Sequence, residues 1–245
     1  MALIVGSTDA PVEEPRPYPV LLERSLVASG VPARCTVRAR SRLLLADCLR
    51  DFEDQVLQHS PDVVILNFGH YEAFSGAVPQ LLRRYAYEEF PRQGVAALAV
   101  RRLLGPALRR AARAVQVVHG RALGASAGRR SAARFARDLA LLLHGIEALA
   151  CDPTVVLVSL THAGTRFERQ MPGINERIDR LNEVLRTAAA DHGRARVRYF
   201  DATEALAGVR WRSDDDVHLS ADGHAVLAHR LHDLLSELPS AAHGS

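Results

Sequence analysis

The sequence predicts an α/β fold built on a parallel sheet that helices cover on both faces. Strand-like and helix-like segments alternate along the chain. The runs Val63-Val64-Ile65-Leu66 and Val155-Val156-Leu157-Val158 are continuously apolar, the pattern of strands buried on both sides. With 245 residues, 48% hydrophobic and 24% charged, the composition is that of an ordinary globular protein with a full core.

The elements follow in order. Leu3 to Val5 reads as the first strand. Tyr18 to Ser29 reads as a helix, with Tyr18, Leu22 and Leu26 on one face and Gly30 to close it. Cys35 to Val37 is a second strand. The stripe Leu45, Leu49, Phe52, Val56 predicts a helix stopped before Pro61. After Val63–Leu66, the stretch from about Pro79 to Leu149 reads as helical, with "GASAG" at 124–128 breaking it into two long helices. The strand Val155–Val158 follows. Ile174, Ile178, Leu181, Leu185 and Ala188 keep helical spacing, and Val197 to Phe200 is the last strand. Leu227, Leu231, Leu234 and Leu238 mark a closing helix with Ser220 as its N-cap, and the tail "SAAHGS" is expected to fray. No repeat or linker divides the chain, which predicts a single domain over 1–245 with an Arg-rich helical insertion at about 91–149.

Composition narrows the function classes. No apolar run is long enough to span a membrane, and the chain enters a strand without a basic region and cleavage site, so a cytoplasmic protein is expected. Cys35, Cys48 and Cys151 are odd in number and form no CxxC pair. They indicate neither a disulfide framework nor a zinc site, and read as buried free thiols. No metal or other cofactor is implied. All 31 basic residues are arginine. Eleven of them fall between Pro91 and Arg137 without one acidic residue. That stretch is either a pair of solvated helix faces or a landing surface for an anionic or carrier-bound small molecule or a protein partner. Phe135 is its lone aromatic, which argues against nucleic acid.

In a parallel sheet, ligands bind beyond the carboxyl ends of the strands. That rule selects Gly6-Ser7-Thr8, residues 67–72, and Thr161-His162. Near the other end, "SDDDVHLSADGHAVLAHRL" (213–231) places Asp215 three residues before His218. A carboxylate there can fix one imidazole nitrogen and leave the other as a base.

At these residues the chain resembles the SGNH, or GDSL, hydrolases. Gly6-Ser7-Thr8 falls where that family has Gly-Asp-Ser, and "YPVLLERSL" (18–26) matches its first helix. "PDVVILNFGHYEA" (61–73) matches the block that ordinarily ends Gly-x-Asn-Asp, and "MPGINERIDRLNEVL" (171–185) is similar to a segment of several bacterial members. "DDVHLSADGHAVLA" (215–228) matches the final block most closely. The resemblance implies a flavodoxin-like three-layer α/β/α sandwich whose parallel sheet has about five strands, with the family's Asp and His at Asp215 and His218.

The chain departs from the family pattern at three places. Thr8 stands in the nucleophile slot, behind Ser7. Arg42 stands where the second block has an oxyanion glycine. Gly69-His70 is followed by Tyr71 and Glu72 in place of Asn and Asp. Thr carries the same hydroxyl as Ser, with a β-methyl that stiffens χ1. Loss of an oxyanion donor is worth about 2.7–4 kcal/mol of barrier.

Three readings follow. In the first, His218, oriented by Asp215, activates Thr8 (or Ser7), and an acyl group passes to water or another acceptor. Backbone N–H groups near Thr8 and Gly69, with Tyr71, hold the oxyanion. Such an enzyme would serve bacterial specialised metabolism. In the second, a tailoring cyclase or eliminase uses His218 to deprotonate the substrate while Arg42 and Tyr71 stabilise a departing anion. The third is a non-catalytic partner protein. His70 and His162 follow strands and are either pocket-lining or solvated; Glu72 falls at a structural position.

Overall fold

The computed structural model of the chain describes residues 2–6, 17–39, 43–75, 110, 114, 118, 129–193 and 196–238. Ser7, Thr8, Arg42, the "GASAG" break, most of the Arg-rich stretch and the C-terminal tail lie outside them.

Five parallel strands form one sheet: β1 (Ala2–Gly6), β2 (Cys35–Ala39), β3 (Val63–Asn67), β4 (Thr154–Val158) and β5 (Val197–Phe200), in the order β2-β1-β3-β4-β5. The apolar runs of β3 and β4 serve both faces, because successive side chains of a strand point oppositely. Val64, Leu66, Val155 and Leu157 enter one core cluster, while Ile65, Val156 and Val158 enter the other. The first cluster is closed by the helical segment 129–147, through Leu139, Leu142, Leu143 and Ile146, and by a helix that supplies Ile174, Ile178, Leu181 and Leu185. The second is closed by α1 (Tyr18–Ala28), through Tyr18, Leu22 and Leu26, and by the last helix, through Leu227 and Leu231. The result is the three-layer sandwich expected from the sequence.

Gly30, at φ 84°, ends α1 as predicted. The stripe from Leu45 to Val56 is broken into α2 (Leu45–Arg50) and α3 (Phe52–Gln55), followed by a 3₁₀ turn. The break falls at Asp51, whose ψ of 28° leaves the helical range. Aspartate is a poor helix-interior residue because its side chain competes for backbone groups, yet Leu45, Cys48 and Val56 stay buried. Of the three cysteines, Cys48 is buried and Cys35 and Cys151 are half-buried; all are free thiols.

The strand order reverses between β1 and β3, where a doubly wound sheet opens a crevice at its carboxyl edge. Gly6 and Asn67 are in register there. From β3 the chain enters α4 (His70–Ser75); the helical segment 129–147, α5, precedes β4, and α6 (Thr165–Gln170) and α7 (Ile174–His192) follow it. Two asparagines of α7 grip the loop beyond β4. Asn182 Oδ1 accepts from Leu160 N–H at 2.8 Å, and its Nδ2 donates to Leu160 C=O at 2.9 Å. Asn175 does the same for Ala163, at 2.8 and 3.1 Å. The step of seven positions from Asn175 to Asn182 rises about 10.5 Å along the helix, which matches the roughly 10 Å that a step of three extended residues can reach.

Asn182→Ala would strand the N–H and C=O of Leu160, at about 1–3 kcal/mol for each buried group left unpaired. The expected result is a lowered urea midpoint with an unchanged m-value.

Candidate active site

The loop 159–164 that the asparagines hold forms the floor of the carboxyl-edge crevice. On one side stands α4. Gly69, at φ 126°, turns the chain into it, and a Cβ there would lie 2.8 Å from the Leu160 side chain. Only glycine fits. His70 is the first residue of α4, and its ring is hydrogen-bonded to the Thr161 backbone. The far end of α4 is held by Arg177, 5% exposed, whose Nε donates to Ala73 C=O at 2.9 Å and whose Nη1 donates to Pro172 C=O at 3.3 Å. Tyr71 lies edge-on to Phe74, with 5.8 Å between ring centroids, and Phe74 in turn meets Phe167 of α6 at 5.2 Å.

On the other side stands the loop 213–218. Asp215 Oδ2 contacts His218 Nδ1. Asp215 Oδ1 accepts from Ser213 Oγ at 2.7 Å and from the Val217 and His218 N–H groups at 3.0 Å each. Partial burial alone would raise the Asp215 pKa, but these hydrogen bonds outweigh it and hold the carboxyl well below the usual carboxylate range. The carboxylate therefore stays ionised and fixes the proton of His218 on Nδ1. Among the described residues no hydrogen-bond partner engages Nε2.

Next along the loop, Asp216 adopts φ 69° and ties this segment to the floor. Its C=O accepts from Gly164 N–H at 2.8 Å and its Oδ2 accepts from Arg166 N–H at 2.9 Å. A Cβ on Gly164 would collide with the Asp216 carboxylate. Arg212 closes the join, donating through Nε and Nη2 to His162 C=O at 3.4 and 3.3 Å and lying over the Trp211 ring. The last helix, here α9 after the short α8 (Ala202–Ala205), spans Ala221–Ser236 and starts at Ser220, whose Oγ accepts from Gly223 N–H at 3.1 Å. That is the N-cap expected from the sequence.

The family model for GDSL-like lipases and acylhydrolases matches residues 4–226. The chain belongs to that family. It is thus an enzyme of the SGNH hydrolase kind, and solved structures agree with the fold. TesA superposes with a TM-score of 0.62 at 13% identity, covering 98% of this chain and 100% of that one. A lipase/acylhydrolase from Enterococcus faecalis gives 0.59 at 16% identity, with 98% and 99% coverage. A catalytic mutant of Axe2, an acetylxylan esterase from Geobacillus stearothermophilus, gives 0.59 at 16%, with 94% and 91% coverage. No curated protein matches the sequence.

Of the family positions read from the sequence, Asp215 and His218 are in contact, Gly69 and His70 meet the floor loop at Leu160 and Thr161, and Tyr71 packs on Phe74. His162 is on the floor, but its Nε2 is engaged by Asp179 of α7 at 2.6 Å. Glu72 is structural in its contacts: Oε1 accepts from Leu45 N–H at 2.7 Å, at the start of α2. Sequence reasoning missed Asn175, Asn182, Arg177, Arg212 and Asp216. The available signal was two asparagines and an arginine interrupting the apolar face of α7. Among the described residues no helix is long and apolar enough to cross a membrane, and no cluster of three metal-binding side chains occurs.

Two titrating groups on α4 oppose each other. Burial, offset in part by the Thr161 hydrogen bond and reinforced by nearby His218, lowers the His70 pKa from 6.5 to about 4. Burial raises Glu72 from 4.5 to about 7 against the hydrogen bond from Leu45. Between 4 and 6.5 the unfolded state binds the His70 proton and the native state does not, so His70 costs stability as pH falls. Between 4.5 and 7 the native state keeps the Glu72 proton and the unfolded state does not, so Glu72 costs stability as pH rises. Measured as Tm against pH, Glu72→Gln should gain on the wild type progressively as pH rises through its window. His70→Gln should gain as pH falls through the other.

Proposed function

We propose that the enzyme cleaves a small-molecule ester through an acyl-enzyme, with Asp215–His218 as the general base. The observation that supports this best is the Asp215 carboxylate itself. It grips Nδ1 of His218 while Ser213 and two backbone N–H groups hold it in place, which presents Nε2 as the proton acceptor at the carboxyl edge of the sheet. Thr8 or Ser7, which follow β1 in sequence, supplies the hydroxyl.

The chemistry runs in two steps. His218 Nε2 takes the hydroxyl proton as the oxygen attacks the ester carbonyl, and returns it to the leaving alcohol. An acceptor then attacks the acyl-enzyme, giving its proton to His218, which passes it to the released hydroxyl. The charge on His218 in each step is stabilised by ionised Asp215. Backbone N–H groups at the start of α4, beyond Gly69, supply donors for the oxyanion.

A second reading makes His218 the base for the substrate itself, with an anion leaving and no covalent intermediate. It is favoured by the replacement of the family's Asn by Tyr71, whose ring packs on Phe74.

His218→Ala should lower kcat/KM on p-nitrophenyl acetate by about 10²–10⁴, the usual worth of a positioned base. A fluorophosphonate probe should label the peptide containing Ser7 and Thr8, and the label should be lost in the doubly substituted Ser7→Ala, Thr8→Ala protein. Turnover without labelling, unaffected by that double substitution, would overturn the covalent route in favour of the second reading. Undiminished turnover in His218→Ala would overturn both.

A further inference from the structure

We infer that Asp216 is a positioning residue for the candidate base: it caps α6 from outside that helix and so locks the His218 loop to the floor, in a seat that only a glycine at 164 leaves open. This rests on the reading of His218 as the general base and adds a residue that acts through it.

The seat comes first. Gly164 precedes α6 with φ −71° and ψ 168°, an extended backbone that any residue adopts. Its conformation therefore does not call for glycine. Its surroundings do. The nearest atoms to a Cβ built there are the carboxylate carbon and both oxygens of Asp216, at 2.4–2.6 Å. Side chains do not approach one another so closely, so the space of the missing Cβ is where the carboxylate rests.

The cap explains why it rests there. The first N–H groups of a helix need acceptors, which the side chain of the N-cap residue usually supplies. Gly164 stands at the N-cap of α6 and has no side chain to offer. Asp216 supplies the acceptor from 50 residues beyond Arg166, whose N–H donates to Oδ2 at 2.9 Å. Its own C=O accepts from Gly164 N–H at 2.8 Å. One residue thus holds the start of α6 by side chain and main chain together. It does so at φ 69°, a conformation that aspartate tolerates better than most residues.

What is held at Asp216 is held at His218. Asp216 N–H donates to Ser213 C=O at 3.1 Å, and Ser213 N–H donates to His218 C=O at 2.9 Å. Asp215, the preceding residue, engages both the ring and the N–H of His218. The loop 213–218 is therefore one hydrogen-bonded unit, and Asp216 is its tie to α6. That helix is fixed in turn against α4, with Phe167 and Phe74 5.2 Å apart between ring centroids. A shift of Asp216 carries Nε2 of His218 with it.

The test is a wedge and its removal. In Gly164→Ala the carboxylate must retreat by about 1 Å to reach ordinary contact, and a misplacement of that size costs about 10²-fold in rate. On p-nitrophenyl acetate, kcat/KM of Gly164→Ala should fall by that factor. In an Asp216→Gly background, which keeps the left-handed backbone and removes the obstacle, the same methyl should change kcat/KM by less than about twofold, as an uncoupled substitution does. Asp216→Gly alone should lose about tenfold, the size of one hydrogen bond, and Asp216→Asn, which keeps an acceptor oxygen, should stay near wild type. The ring-nitrogen resonances of His218, assigned by their loss in His218→Gln, should move in Gly164→Ala and match Asp216→Gly in the double variant. Equal losses from the methyl in both backgrounds, or unchanged turnover and unmoved ring resonances in Gly164→Ala, would overturn the role of Asp216 while leaving ester cleavage intact. Should Gly164→Ala fail to fold, an Asp216→Gly protein as active as wild type overturns it equally. A wild type that cleaves no ester overturns the ester-cleavage reading, and the ring resonances then decide on Asp216 alone.

Discussion

The carboxyl-edge crevice depends on how the loop beyond β4 is held. A loop crossing the end of a parallel sheet has no strand partner for its backbone, and buried N–H and C=O groups must find one. Here α7 provides it through Asn182 and Asn175, each a side-chain amide paired with both polar groups of a residue. Primary amides mimic a peptide bond, so the loop is bonded to a helix much as a strand is bonded to its neighbour. Once the loop is rigid, other pieces can be placed from it: His70 through Thr161, Arg212 through His162, and the Asp215–His218 segment through Asp216 and Gly164. None of these contacts is strong individually. Together they transmit the position of α7 to the candidate base.

Two forms of electrostatic control meet at the site. Asp215 is stabilised as an anion by local donors on its own loop, and this gives it a fixed orientation independent of the sheet. His70 and Glu72 are governed instead by burial, which disfavours charge on both, and they respond to pH with opposite sign. They share one short helix, in which His70 is uncharged near neutrality while Glu72 is in the middle of its titration. Arg177 places a buried guanidinium at its other end, where two carbonyls receive it.

The layers were legible in the sequence because their signals are local or periodic. The apolar runs of β3 and β4, the spacing of α7 and the caps at Gly30 and Ser220 all act over a few residues. The Asp215–His218 pair was legible for the same reason, being three residues apart. What escaped was non-local. Arg177 reads as a solvated helix charge until the Ala73 carbonyl, 104 residues earlier, is seen to receive it. Asp216 adopts a left-handed conformation that aspartate tolerates but does not announce. The short helices α4 and α6 lack the length for a periodic stripe and exist through tertiary anchors at their ends. The break at Asp51 shows the converse, a stripe that keeps burying the right residues after its helix has ended.

The hydrogen bond from Tyr18 N–H to His224 Nδ1 spans 206 positions, at 3.3 Å, and joins the first helix to the last. Between these helices lies the second core cluster, which is unfinished until the last helix arrives. Such distant closure slows folding, since chain entropy is lost before the contacts form. During synthesis, then, all five strands are made while the segment bearing Asp215 and His218 is still to come. The candidate base is in this sense a clock for completion: under the proposed function, a ribosome-bound chain that has not yet reached Asp215 and His218 has its strands and floor loop but cannot act on a substrate.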